Sequence, residues 1–548
     1  MNSRMLKIVS ILLIVLLTVL SASGQRRKKK PVPKKVVPLV AIKNKPWGDQ
    51  GNNTFMNPVL PADYSDIDAI RVGTDYYAIS STFQFSPGVV ILHSKDLVNW
   101  HILSHVTDNL LQIGPAYNWD KMDRYGKGIW AGSIRYHDGK FWVYFCTPNE
   151  GFFMSTATNP AGPWEPLHKM WGVSGWDDCC PFWDEDGQGY IVASNFADKY
   201  KVHLFKMNDA GDKIIPQSDS IIHQSQGSEA NKLYKFYGIY YHLYSEVKKE
   251  GRVVMMERSE SIYGPYESKQ LNHVDKLTDK EPNQGGIVQV GYGKWWFFTH
   301  QGTGDWEGRA ACLLPVTWMD GWPIIGQVGT DTIGSMVWNS PKPIKNSPLF
   351  TIQTDDEFNQ STLPVQWEWN YQPRKEMWSL TEHNGFLRLH AFVPIKLVDN
   401  NDKRKILFRA GNTLTQRSVR TMNNEATIKV EIGNMEDGQI AGLCHFAKTY
   451  STFGVKQTKG VCILFSDNNG DEFPGPRITT NTIWLKSSWG LDGVSQYAYS
   501  LDGKFFIPFG TPYQLTWGNY RGDRIGIFCY NTLREKGYID VDWFHYKY

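Results

Sequence analysis

Five stretches of the chain repeat one alternation: a polar residue, a short apolar run, a turn, then a second apolar run opened by aromatics. They span residues 66–77, 130–142, 177–190, 229–241 and 284–296, and the second runs carry Tyr77, Trp142, Tyr190, Tyr241 and Trp296. Intervals of roughly fifty residues between such runs are the period of four-stranded sheets repeated around an axis. Hairpin turns such as His137-Asp138-Gly139-Lys140 and Asp184-Glu185-Asp186-Gly187 punctuate the pattern, and helical periodicity is nearly absent. The pattern predicts an all-β fold with a five-bladed β-propeller over residues 47–345. Prolines and lysines over 340–348 interrupt it and mark a domain boundary. From 349 to 548 the alternation continues without the repeat, as in Ala426-Thr427-Ile428-Lys429-Val430-Glu431-Ile432, which predicts a C-terminal β-sandwich.

The repeat also places chemistry. Ten to twelve residues before the aromatic, repeats one, three and four carry Asp66, Asp178 and Glu229, while repeats two and five carry Trp130-Ala131 and Asn283-Gln284. Equivalent positions in a ring converge on its axis, so three carboxyl groups from different blades are expected to face one another. Burying three acids is costly unless they share protons or bind something. The plainer alternative is that each acid caps its own hairpin.

Length and composition narrow the classes. A chain of 548 residues exceeds one core and suggests two or three domains. The net charge of +3 gives no reason to expect nucleic acid, and the one dense basic run, Arg26 to Lys30, sits in a Pro-rich stretch (residues 25–46) read as a linker. Before it, Arg4 and Lys7 precede an apolar run over residues 8–20 and the small residues Ala22-Ser23-Gly24, the pattern of a secretory signal peptide over 1–24. Export to the periplasm or cell exterior is expected, with no membrane span in the mature form. The seven cysteines lack zinc-type spacing. For adjacent Cys179 and Cys180, a strained vicinal disulfide and two buried thiols both stand.

Three acids on an axis rich in tryptophan suit hydrolysis of a glycosidic bond: one protonated carboxyl serves the leaving oxygen, and one carboxylate activates water. A third can tune the acid by like-charge proximity. No Gly-x-Ser-x-Gly elbow, Walker loop or His-Glu-x-x-His offers a rival chemistry. At these positions the chain resembles glycoside hydrolase family 43. The resemblance is carried by residues 57–66, Ser228-Glu229-Ala230, Asp178 ahead of the 184–187 turn, Ser81-Thr82-Phe83, the 93–100 run, and Gly308-Arg309 leading to Pro315-Val316-Thr317-Trp318. It implies an inverting enzyme with Asp66 as general base, Glu229 as general acid and Asp178 as the residue that orients the acid and tunes its pKa. It further implies Trp130, Phe83 and Arg309 at the sugar, and a concanavalin-like sandwich over 349–548. No cofactor is needed for the chemistry, but some members hold a structural calcium ion at the propeller centre through a histidine placed like His300. The prolines usual around the base and third-blade acid are absent, with Ser65-Asp66-Ile67 and Asp178-Cys179-Cys180 in their place.

The runs over 300–309 and 177–183 look more like the arabinofuranosidase-rich branch of the family. The leading expectation is therefore exo-removal of α-L-arabinofuranosyl groups from plant polysaccharide or oligosaccharide (arabinoxylan, arabinan or xyloglucan side chains), with β-D-xylosidase as the alternative. From a different class, a non-catalytic carbohydrate-binding propeller also stands. A sandwich loop near Phe473-Pro474-Gly475-Pro476 is a candidate to complete the pocket.

Overall fold

The computed structural model describes residues 46–274, 282–302, 304–396, 404–518 and 520–548. The signal peptide and all but the last residue of the basic linker lie outside the described residues. Among those described, no helix is long and apolar enough to cross a membrane.

Each sequence repeat folds into one four-stranded antiparallel sheet, giving five in chain order. Their first strands are Asp68–Val72, Gly132–His137, Trp176–Trp183, Glu229–Phe236 and Pro282–Gly291. Each touches the next, and the fifth returns to the first, so these strands close a ring. Alternation explains the geometry: along Trp100–Thr107, for example, every second residue is buried against a neighbouring layer. Between sheets the filling is aromatic, as where Trp142, Tyr144 and Trp183 meet between the second and third sheets.

The start of the described chain fastens this ring. Gly48–Asp49 pairs with Thr54–Met56, which pairs in turn with Asn339–Pro341 in a small sheet, and Val59 and Leu60 bond to Ala311 of the fifth sheet. Lys342, inside the stretch whose prolines signal a boundary, is buried. Its ammonium meets Asp49 and lies 2.9 Å from Asp96 Oδ2.

Beyond residue 349 an eight-stranded and a seven-stranded antiparallel sheet face one another over an aliphatic and aromatic core. The partition is not clean. Phe85–Ser86, inside the first propeller repeat, adds the last strand to the eight-stranded sheet by pairing with Glu368–Asn370.

Candidate active site

Three inner strands are bulged where they begin. The ladder slips between Asp177 and Cys180, between Glu229 and Lys232, and between Pro282 and Gly285. A bulge inserts an unpaired residue and re-aims its neighbours. Asp178 (φ 52°) and Ala230 (φ 67°) sit inside these bulges in the left-handed region, and Asp66 (φ 58°) adopts the same conformation ahead of the first inner strand. A non-glycine residue there costs on the order of 1–2 kcal/mol. The turned backbone of Ala230 donates its N–H to Asp178 Oδ2, and Gln284 Nε2 donates to Asp178 Oδ1 at 2.7 Å. One carboxyl group thus ties the third, fourth and fifth inner strands together.

Asp66, Asp178 and Glu229 line one cavity of about 270 Å³, together with Phe83, Trp130 and Arg309. The acids anticipated from the repeat and the wall residues implied by the resemblance are therefore brought to the same place. Arg309 Nη1 donates to Asp66 Oδ1 at 2.8 Å while its Nε holds the Gly302 carbonyl, so one oxygen of Asp66 is fixed. Asp68, two residues on, is fully buried and engages Arg135 (2.6 Å) and the Ile134 N–H (2.9 Å) of the second sheet. It fastens two sheets and is absent from the cavity lining, which favours Asp66 for the chemistry. Phe83 is held by reciprocal backbone bonds with Ile129, and any side chain on Gly128 would strike the Phe83 carbonyl.

Further residues line the cavity beyond these six. Asp177 is a fourth carboxyl at the cavity. Phe196 and Tyr200 follow the second strand of the third sheet, and Arg252 is the second residue of the third strand of the fourth. Arg252 lies 3.3 Å from Glu229 and is steadied by the Gly227 carbonyl and the Ser245 hydroxyl. The sandwich contributes Tyr520, whose ring lies 5.3 Å from the Arg309 guanidinium. The stretch 473–476 does not fill that role: it belongs to the edge strand Asp471–Ile478, where Phe473 packs on Phe509. Its aromatic and proline content suits an exposed edge strand.

Charge crowding shows in the acids of the third sheet. Asp178 is pushed up to about 7, by burial first and the Glu229 charge second, against the opposing pull of Lys232 and the Ala230 N–H. Asp177 is driven well above the ordinary aspartate range by burial and then by Asp178 and Glu229. Neighbouring carboxyls placed this way cannot all ionise together. His300 lies behind Asp66, its Nε2 3.7 Å from Asp66 Oδ1, and its Nδ1 meets the Gln301 carbonyl. Burial and Arg309 hold it down at about 4, so it is neutral at pH 7. Of the two states open to Cys179 and Cys180, the structure has both as buried free thiols, Cys180 Sγ accepting from Arg135 Nη2 at 2.8 Å.

Comparison with known proteins gives this geometry a context. Residues 55–323 match the model described as glycosyl hydrolases family 43, and residues 355–547 match that of a beta xylosidase C-terminal concanavalin A-like domain. A beta-xylosidase of Formosa agariphila is 34% identical, the alignment covering 98% of this chain and 97% of that protein. A non-reducing end alpha-L-arabinofuranosidase of Bacteroides ovatus is 31% identical over 61% of this chain and 65% of its own length. Among solved structures, the GH43 protein BlXynB of Bacillus licheniformis superposes with a TM-score of 0.77 at 26% identity, covering 90% of this chain and 99% of that one.

Proposed function

Because the chain belongs to glycosyl hydrolase family 43, we propose that it removes terminal β-D-xylosyl groups from xylan-derived oligosaccharides, with inversion. The observation that carries hydrolysis is the convergence of Asp66, Asp178 and Glu229, from three separate repeats, on one cavity walled by Phe83 and Trp130. At about 270 Å³ the cavity is small beside the roughly 300–1,000 Å³ of sites that enclose a drug-sized ligand, which favours a terminal sugar over a stretch of polymer. In this reading Asp66, one oxygen fixed by Arg309, takes a proton from the attacking water. Glu229 gives its proton to the departing oxygen, and Asp178 orients that acid through the Ala230 backbone. Inversion calls for carboxyls on the order of 6.5–9.5 Å apart with water between them.

The xyloside preference is supported by the name of the Formosa agariphila relative, aligned over nearly the whole of both chains. That support outweighs the aromatic runs read as arabinofuranosidase-like. Removal of α-L-arabinofuranosyl groups stays as the second reading, favoured by the Bacteroides ovatus relative. Turnover of paired chromogenic β-D-xyloside and α-L-arabinofuranoside substrates decides between them, with proton NMR of the first-formed anomer reporting stereochemistry. Faster xyloside release is expected. Faster arabinoside release overturns the preference, and binding without turnover of either substrate in wild type points to a carbohydrate-binding propeller.

A further inference from the structure

A cation reaches the centre of the ring. Lys232, on the inner strand of the fourth sheet, is fully buried, and its Nζ lies 3.1 Å from the Asn231 carbonyl and 3.5 Å from the Gly132 carbonyl. Gly132 opens the inner strand of the second sheet. The third sheet stands between these two in the ring, so an ammonium that touches both strands lies in the central channel. Burying such a charge is expensive unless opposite charge and acceptors face it. Here its charge adds to the burial that holds His300 of the fifth sheet and His242 of its own sheet down, and opposes the burial and Glu229 charge that push Asp178 of the third sheet up. Behind these stand Asp66 with Arg309, Glu229 with Arg252, Glu257 on His242, and the Asp68–Arg135 pair of the first and second sheets. Two buried acceptors of the fifth sheet, His300 Nε2 and Gln284 Oε1, have no hydrogen-bond partner among the described residues.

The residues do not fit a calcium ion held through His300. Calcium takes 6–8 oxygen ligands, whereas His300 offers nitrogen, and the oxygen near it, Asp66 Oδ1, is already bound by Arg309. Arg309 and Lys232 both act on His300 as fixed positive charges that a divalent ion would have to approach. Among the described residues the cluster with metal-like spacing is His383, Glu431 and Asp540, in the sandwich, and Arg388 grips Asp540 there.

We propose that the Lys232 ammonium is the resident cation of the propeller axis, standing where a divalent ion would otherwise sit, and that it is a positioning residue for the acid cluster above it. The calcium part is independent of the proposed hydrolysis; the pH part rests on it, so the two can fail separately. Chelator-treated full-length protein is dialysed against about 10 mM calcium, well above the roughly 0.1–1 mM dissociation constants of weak extracellular sites. Elemental analysis and thermal unfolding are expected to show no stoichiometric calcium and an unchanged Tm; one calcium per chain with a raised Tm overturns the proposal. Lys232→Met keeps the stem and removes the charge. Both limbs of its pH profile of kcat/KM are expected to move upward by about half a unit to one unit, because losing a cation makes nearby carboxyls harder to ionise. A folded variant with a lower Tm and an unmoved profile reduces Lys232 to packing and overturns the positioning role. If the variant does not fold, the calcium result on wild type still decides the resident-cation claim.

Discussion

Asp178 joins backbone strain and charge in one residue, and its replacement separates stability from activity. Its carboxyl sits at about 7, above the 3.8 of a free aspartate, through burial and then Glu229. The folded chain therefore holds this proton more tightly than the unfolded chain, so stability falls as pH rises from about 4 to about 7 and is flat outside that window. For a lone group the fall would be about 4 kcal/mol, shared here among coupled acids. Asp178→Asn removes the titration, and its new amide finds an acceptor if Gln284 turns its unpartnered Oε1 inward. The variant is expected to be more stable than wild type at pH 7.5 and no more stable at pH 4.5, measured by thermal unfolding, while kcat drops on the order of 10²-fold. Glu229→Gln tests the acid itself, at a side chain that is partly exposed. It is expected to lose on the order of 10²–10⁴-fold in kcat, and retained turnover would remove Glu229 from the mechanism.

At the scale of elements, the alternation of apolar and polar residues made the sheets legible, because one face of each strand must be buried. The bulges were not. A left-handed residue usually announces itself as glycine, yet here the positions are Asp66, Asp178 and Ala230, whose local sequence carries no sign of the turned backbone. The three acids could be found only because the same register recurs in separate repeats; Arg252, Tyr200 and Tyr520 recur nowhere and come from segments far apart in sequence. Ala230 tests the bulge directly. Ala230→Gly relieves a left-handed conformation worth on the order of 1 kcal/mol, so it is expected to be neutral or stabilising despite lying in a strand. Ala230→Val adds a branched side chain at a fully buried site with φ 67° and is expected to destabilise by about 2 kcal/mol or more. Unfolding in urea measures both; the reverse order would mean that the bulge is not the native backbone.

Across the whole molecule, one pocket is built by two domains. Glu368 of the sandwich is fully buried and accepts from Arg524 (2.6 Å) and Arg417 (2.9 Å), with His105 of the first propeller sheet 3.3 Å away. Arg417 also holds the Asp63 carbonyl, and Arg521 stacks on Phe83 and Phe85 at 5.1 and 4.5 Å. The Phe83 wall of the cavity therefore rests on cations carried by the second domain. The split between residues 345 and 349 that the prolines suggest is not respected in space, since Phe85–Ser86 joins a sheet formed nearly 300 residues later, a pairing no local pattern foretells. Burial pushes the Glu368 carboxyl up, but Arg417 and Arg524 outweigh it and hold it well below the ordinary glutamate range. Its contribution is therefore complete above the unfolded value near 4.5 and is lost only as pH falls through that depressed folded value. Glu368→Gln leaves two buried guanidinium groups without a counter-charge and is expected to cost about 3–5 kcal/mol, with KM rising as Phe83 loosens. Tyr520→Ala, at the exposed rim, is expected to raise KM with Tm nearly unchanged. Thermal unfolding and steady-state kinetics on the two variants separate support of the pocket from contact with the sugar. If Glu368→Gln lowered Tm and left KM alone, the junction would be holding the domains together without shaping the site.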